Sequence, residues 1–250
     1  FGLIMLLPFL VKTGISSLQT ENMGGMALRG IFHAVAMLCY FMALTLMPLA
    51  DLSALTFLGP LVITFFAVLL LGENLGWRRF SGLLIGFTGA LVIIRPGFDY
   101  TGLGAFFALA SVFSWAGAVI VIKRLSQTNS SITTTIYGLF FLTLFTFLPA
   151  VFVWSWPTTD ELILLLLLAL VGTIGQLLFT ESLKVADVTL VMPFDFSKLI
   201  WASLFGFLFF FEIPSFWTFV GGGIIFASAT YVMYRERELN SANSSNIKIN

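Results

Sequence analysis

Leu71-Gly72-Glu73, with Phe80-Ser81-Gly82-Leu83-Leu84-Ile85 behind it, has a counterpart 139 positions further on in Glu212 and Phe219-Val220-Gly221-Gly222-Gly223-Ile224. Upstream, Ala43-Leu44 matches Ser182-Leu183 at the same offset, and an apolar run fills the space between each landmark pair and its Glu. Only a minority of the intervening positions agree, the mark of an old duplication. Each run is long enough to cross a bilayer, which takes about 20 apolar residues. A chain that carries the same set of spans twice is an internally duplicated membrane protein, and in such proteins the working site lies where the halves meet.

Composition agrees. Hydrophobic residues make up 59% and charged residues 10% of the 250, with a mean hydropathy of +1.03; soluble domains carry about 25% charge. The net charge of zero gives no basic surface for nucleic acid. Cys39, the one cysteine, lies in an apolar run and can form no intrachain disulfide. The apolar stretch 1–11 is too short for a span and has no basic n-region, so it reads as the tail of a helix that begins earlier, not as a signal peptide.

Eight further apolar runs follow, at 26–49, 52–72, 80–94, 103–122, 132–154, 162–183, 188–211 and 216–234. They are apolar all round, as bundle helices in lipid are. Short connections rich in Gly, Pro, Asn and Ser separate them. Alternating the loops from the C-terminal Arg235 and Arg237 puts Lys12, Arg78, Arg79, Lys123, Arg124 and Lys184 on the same side. The other side holds Arg95 with Asp51, Asp99, Asp160, Glu161 and Glu212. This is the positive-inside pattern, with the C-terminus cytoplasmic.

Shifting the second half back by the offset places one span wholly before Phe1 and another across it. The expectation is an all-α integral membrane protein of ten spans, five plus five, lacking here the first span and part of the second. An odd count per copy makes the repeats inverted, with Glu73 and Glu212 facing opposite sides. The repeats are residues 1–95 and 101–235, followed by a polar tail, 236–250, expected to be disordered.

The order Leu28-Arg29-Gly30, Ala43 to Asp51, Pro60, Leu71-Gly72-Glu73, Arg78-Arg79, Gly86 to Gly89 and Arg95-Pro96-Gly97 resembles the first half of an EamA-type carrier of the drug/metabolite transporter superfamily. In the second half Pro193 to Trp201, Phe211 to Pro214 and Gly221 to Arg235 fit the same pattern, with Phe211 where a Gly is usual before the second Glu. The resemblance covers nearly the whole chain. It implies a ten-span carrier of small organic metabolites in a bacterial inner membrane, amino-acid-like compounds first among them.

Candidate substrate-binding residues come from charges and polar groups inside spans. Asp195 and Lys198 stand at i and i+3 on one helix face after Pro193. A charge at mid-bilayer costs about 2.5–3.5 kcal/mol on insertion scales, so such a pair faces a bundle interior or a wet cavity. It is either a binding or proton-coupling pair or a mutually neutralised structural one. His33 and Tyr40 share a face, and His33 is either a proton relay or ligand, or an interhelical hydrogen bond. Arg29, one turn earlier, is expected to snorkel to the interface. Gln176 is a candidate hydrogen-bonder. Trp115 either stacks on a flat substrate or packs. Thr56 and Pro60 are candidates to bend their span toward the cavity, and Pro193 removes one backbone donor and loosens its helix start, exposing polar backbone where Asp195 and Lys198 stand. Glu73 and Glu212 are expected as conformational latches or helix-end partners. Gly82-x-x-x-Gly86 and Gly223-x-x-x-Ala227 are expected to allow close helix contact.

No metal-ligand cluster, phosphate loop or nucleophile with a base at a recognisable spacing is present, so neither cofactor nor enzyme chemistry is expected. The reading is a secondary carrier working by alternating access, whose partners are a small-molecule substrate, the lipid bilayer and a proton or another coupling solute. The alternative from the residues alone is a scaffold or sensor on the same fold.

Overall fold

The computed structural model describes residues 1–6, 18–47, 49–94, 102–210 and 216–247. Lys12, Arg95, Asp99 and Glu212 lie outside the described residues, as do the side chains of Asp51, Arg235 and Arg237. Every described element is helical. A short helix α1 (residues 2–6) is followed by α2 (Met23–Leu46), α3 (Leu49–Thr56), α4 (Gly59–Phe66), a π-helical turn (Ala67–Leu71) and α5 (Trp77–Ile94). Then come α6 (Gly102–Thr128), α7 (Ser131–Phe152), α8 (Thr159–Val185), α9 (Val188–Val191), a 3-10 turn (Met192–Ser197), α10 (Lys198–Phe210) and α11 (Phe216–Ile247). Among the described residues α2, α6, α7 and α8 are each long and apolar enough to cross a membrane.

Local sequence sets the helix starts. Asn22 accepts from the Gly25 N–H at 2.8 Å, and Ser130 accepts from Thr133 N–H at 3.0 Å. Thr158 and Glu161 form a reciprocal capping box on α8. Gly72, at φ 69°, ends the π-turn in the left-handed conformation that glycine adopts without strain.

Two runs that read as continuous in sequence are broken in the structure. The run 52–72 interrupts its helix at Phe57-Leu58 before restarting at Gly59-Pro60, and then widens into the π-turn. The run 188–211 passes through the 3-10 turn containing Pro193 before restarting at Lys198. Proline lacks the N–H that a continuous helix needs, and each sits in the first turn after a break. The two restarts, Gly59 and Lys198, stand 139 positions apart, the offset of the sequence repeat. At the chain end α11 continues to Ile247, across most of the tail expected to be disordered; Arg235-Glu236-Arg237-Glu238-Leu239 are strong helix formers.

The bundle packs α2 against α6 and α7, α4 against α6, and α5 against α11. In that last pair the chains run antiparallel. Ser228 Oγ donates to the Gly82 carbonyl at 2.6 Å, and a Cβ on Gly221 would lie 2.6 Å from the Gly89 carbonyl oxygen. The close-contact residues on α11 are therefore Gly221 and Ser228. Gly223 and Ala227, the expected pair, face elsewhere: Gly223 has open space at its Cβ and Ala227 is exposed. The helix face differs because α11 meets α5 about half a turn round from the small-residue motif.

Candidate functional site

A cavity of about 460 Å³ opens where the two interrupted helices face α2 and α6. From α2 come His33, Met37 and Tyr40, which recur at the spacing of one helix face. The first broken helix contributes Ser53, Thr56, Phe57, Gly59 and Pro60; α6 contributes Ser111 and Trp115. Asp195 and Lys198 come from the second broken helix. The structure therefore brings Asp195, Lys198, His33, Tyr40, Trp115, Thr56 and Pro60 around one space.

Lys198 Nζ donates to Asp195 Oδ2 at 2.8 Å and stands 4.7 Å from the centroid of the Phe57 ring. The lysine side chain is 55% exposed and the aspartate 37%, so both reach the cavity and are not sealed in protein. Beneath them Phe57 stacks on Phe196, with centroids 5.8 Å apart. These two rings are also 139 residues apart, so repeat-related positions meet at the cavity floor. The repeat partners of Asp195 and Lys198 are the uncharged Thr56 and Gly59, which line the same cavity. Among the described lining residues the charge therefore comes from the second broken helix.

On the α6 side Trp115 lies between His33, at 5.1 Å between centroids, and Phe179 of α8, at 6.1 Å and near parallel. The indole packs against these two rings and also lines the cavity. Thr56 Oγ1 donates to the Ser53 carbonyl at 2.9 Å, leaving its lone pairs as acceptors.

Other expected positions lie elsewhere. Gln176 does not line the cavity; its amide nitrogen is buried without a partner, one turn from Phe179. Pro193 is buried behind the turn that presents Asp195. Glu73 reaches from the end of the π-turn to α9, where its carboxylate accepts from the Val188 and Thr189 N–H groups at 2.8 Å each. Arg29 does not snorkel. It is 1% exposed, held between α2 and α7, and donates to the Thr134 carbonyl. Gly138 makes the space, since a Cβ there would lie 2.5 Å from the guanidinium carbon. The sequence gives no sign of this, because the pairing depends on a glycine 109 positions away.

The site offers opposite charges, hydroxyls and aromatic faces. Among the described residues no cluster of His, Cys, Asp or Glu could hold a metal ion. It is equipped to bind a small polar molecule, in a bundle whose apolar helices are built for lipid.

Such a bundle around a polar cavity defines a multi-pass membrane transporter. The chain belongs to the EamA-like transporter family, whose profile matches residues 1–95 and 102–234. A riboflavin transporter of Vibrio cholerae is 32% identical over 92% of this chain and 78% of its own length. An S-adenosylmethionine uptake transporter of Rickettsia bellii is 27% identical, over 96% of this chain and 83% of its own. A pseudopaline exporter of Pseudomonas aeruginosa is 29% identical over 88% and 78%. One solved crystal structure shares the fold, with a TM-score of 0.79 at 21% identity over 95% of this chain and 85% of that one. The protein is a small-molecule transporter and not an enzyme.

Proposed function

We propose that the chain is a secondary carrier of the inner membrane that moves a small organic metabolite by alternating access through the cavity at Asp195 and Lys198. The observation that carries this reading is the place of the cavity: both helix interruptions, one from each repeat, end on it, and among the described residues the charges lining it, Asp195 and Lys198, sit at the second. Broken helices expose backbone polar groups at membrane depth, which lipid does not tolerate but a wet substrate site does.

Inverted repeats are supported by the packing of α5 on α11. Gly221 is the repeat partner of Gly82, and Ser228 that of Gly89. The contacts Gly82–Ser228 and Gly89–Gly221 therefore exchange when the repeats are swapped, and they do so between antiparallel helices. A two-fold axis in the membrane plane has this effect; an axis along the membrane normal would pair parallel helices. The basic loops favour a cytoplasmic C-terminus.

The cavity volume lies in the range of small-molecule sites. A ligand with a flat ring to lie by Trp115 and His33, and a zwitterionic or hydroxyl-rich arm to reach Asp195 and Lys198, matches its walls. The relatives named for riboflavin and S-adenosylmethionine suggest such compounds, and amino-acid-like ligands share the zwitterionic part. The test is uptake and counterflow in proteoliposomes with riboflavin, S-adenosylmethionine and a panel of amino acids. Saturable transport of one class is expected. Failure of every class to move, in vesicles with verified insertion, would refute the reading.

A further inference from the structure

Between the cavity and the end of the bundle that carries Arg78, Arg79, Lys123, Arg124 and Lys184 lie two layers of contacts. The first is apolar: Phe57, Ile63, Leu183, Val188, Met192 and Phe196 belong to one buried cluster below the cavity floor. Phe57 and Ile63 also line the cavity, so the cluster begins where the cavity ends. The second layer is polar and centres on the segment Leu183–Thr189, which joins α8 to α9.

Arg79, Glu73 and Lys123 tie that segment down, and Arg124 holds the π-turn beside it. Asp187 stands at the N-cap of α9, yet its side chain makes no cap; it pairs with Arg79 at 3.0 Å. Glu73 takes the capping place, accepting from the Val188 and Thr189 N–H groups across 115 and 116 residues of chain. Lys123 Nζ donates to the carbonyls of Leu183 and Ala186, at 2.8 and 2.6 Å, at the C-terminal end of α8. Its neighbour Arg124 donates to the Leu70 carbonyl in the π-turn at 2.7 Å. Arg79 also donates to Thr189 Oγ1 at 2.8 Å.

We propose that Leu183–Thr189 is the gate of the basic end, and that Glu73 and the Arg79–Asp187 pair are the latch that keeps it shut while the cavity is open to the other side. This rests on the alternating-access reading. The division of labour at Asp187 supports it: a helix start that needed only stability would be capped by its own Asp at no cost in chain reach. Here the cap comes from a carboxylate on the opposite repeat, so the helix start is satisfied only when the two halves are together. The Arg79–Asp187 pair is suited to reversible use, because Asp187 is half-exposed and water replaces its partner readily. Glu73 also follows directly on the π-turn and the left-handed Gly72, the kind of helix irregularity that accompanies moving parts.

The test uses the full chain, reconstituted, with Cys39→Ala as background and two cysteine reporters in separate samples. Met192→Cys reports on the plug, and Ser53→Cys on the cavity; each is challenged with a charged, membrane-impermeant maleimide from either side. With the latch intact, Ser53→Cys should label from the side opposite the basic loops and Met192→Cys should resist. Glu73→Gln with Asp187→Asn should raise the labelling rate of Met192→Cys from the basic side by about tenfold, the shift that roughly 1.4 kcal/mol produces, and lower that of Ser53→Cys from the other. Arg79→Asp alone should do the same, and Arg79→Asp with Asp187→Arg should restore the original pattern. Unchanged rates, a rise in both reporters, or a charge swap no better than Arg79→Asp alone would overturn the latch. Labelling needs no substrate: opposed reporters without transport would leave the latch standing and refute the metabolite reading, while transport with unmoved reporters would do the reverse.

Discussion

At the scale of single residues, exposure decides how the Asp195–Lys198 pair behaves. A sealed ion pair that loses one partner costs about 3–5 kcal/mol, because the other charge is stranded. This pair opens to the cavity, with side chains 37% and 55% exposed. Its ion pair and the cation–π contact with Phe57 are each worth about 1 kcal/mol or less in such surroundings. Lys198→Ala should therefore lower stability by only about 1 kcal/mol, read as a small shift in thermal unfolding in detergent. A loss of several kcal/mol would make the pair structural. The sequence expected this pair, His33, Tyr40, Trp115, Thr56 and Pro60 to face one space, because helix period and the expense of polar groups in lipid point the same way, and all of them line the cavity. It expected Gln176 in the cavity and Arg29 at the interface, and neither is there, for one reason: which face of a helix meets which neighbour is settled by packing. For Arg29 the deciding residue is Gly138 on α7, a position with no polar signal of its own.

At the scale of elements, the number and order of the helical runs were legible, because lipid demands long apolar segments and short loops. The breaks inside two of them were not, although Pro60 and Pro193 mark both places; a proline near a helix start is equally compatible with an unbroken helix. Nor was the contact face of α11. Its small residues Gly221, Gly222, Gly223 and Ala227 offer several faces, and only docking onto α5 selects Gly221 and Ser228. This gives a paired prediction. Gly221→Ala should destabilise the protein by about 1–3 kcal/mol, since the added methyl meets the Gly89 backbone, which cannot turn aside. Gly223→Ala, with open space around it, should be near neutral. Thermal unfolding of the two variants decides, and equal effects would contradict the packing.

At the scale of the whole molecule, two helix restarts, Gly59 and Lys198, and two stacked rings, Phe57 and Phe196, stand at the 139-residue offset of the sequence repeat. If the repeats are inverted, the conformation open to the basic end should be reached by exchanging the arrangements of the two halves. Spin labels near Arg124 and Val185 should then move apart, and labels near Tyr40 and Trp201 together, when ligand drives turnover. Movement of both pairs in the same sense, seen by pulsed electron spin resonance, would count against an exchange of this kind.

The measurement closest to the centre of the account is sided transport by purified, reconstituted protein, wild type beside the double replacement Asp195→Asn with Lys198→Met. The replacement leaves no unpaired charge, so insertion and folding should match the wild type. The account predicts saturable transport by the wild type and none by the double variant. A double variant that transports at the wild-type rate would contradict it, and would move the binding site away from this pair.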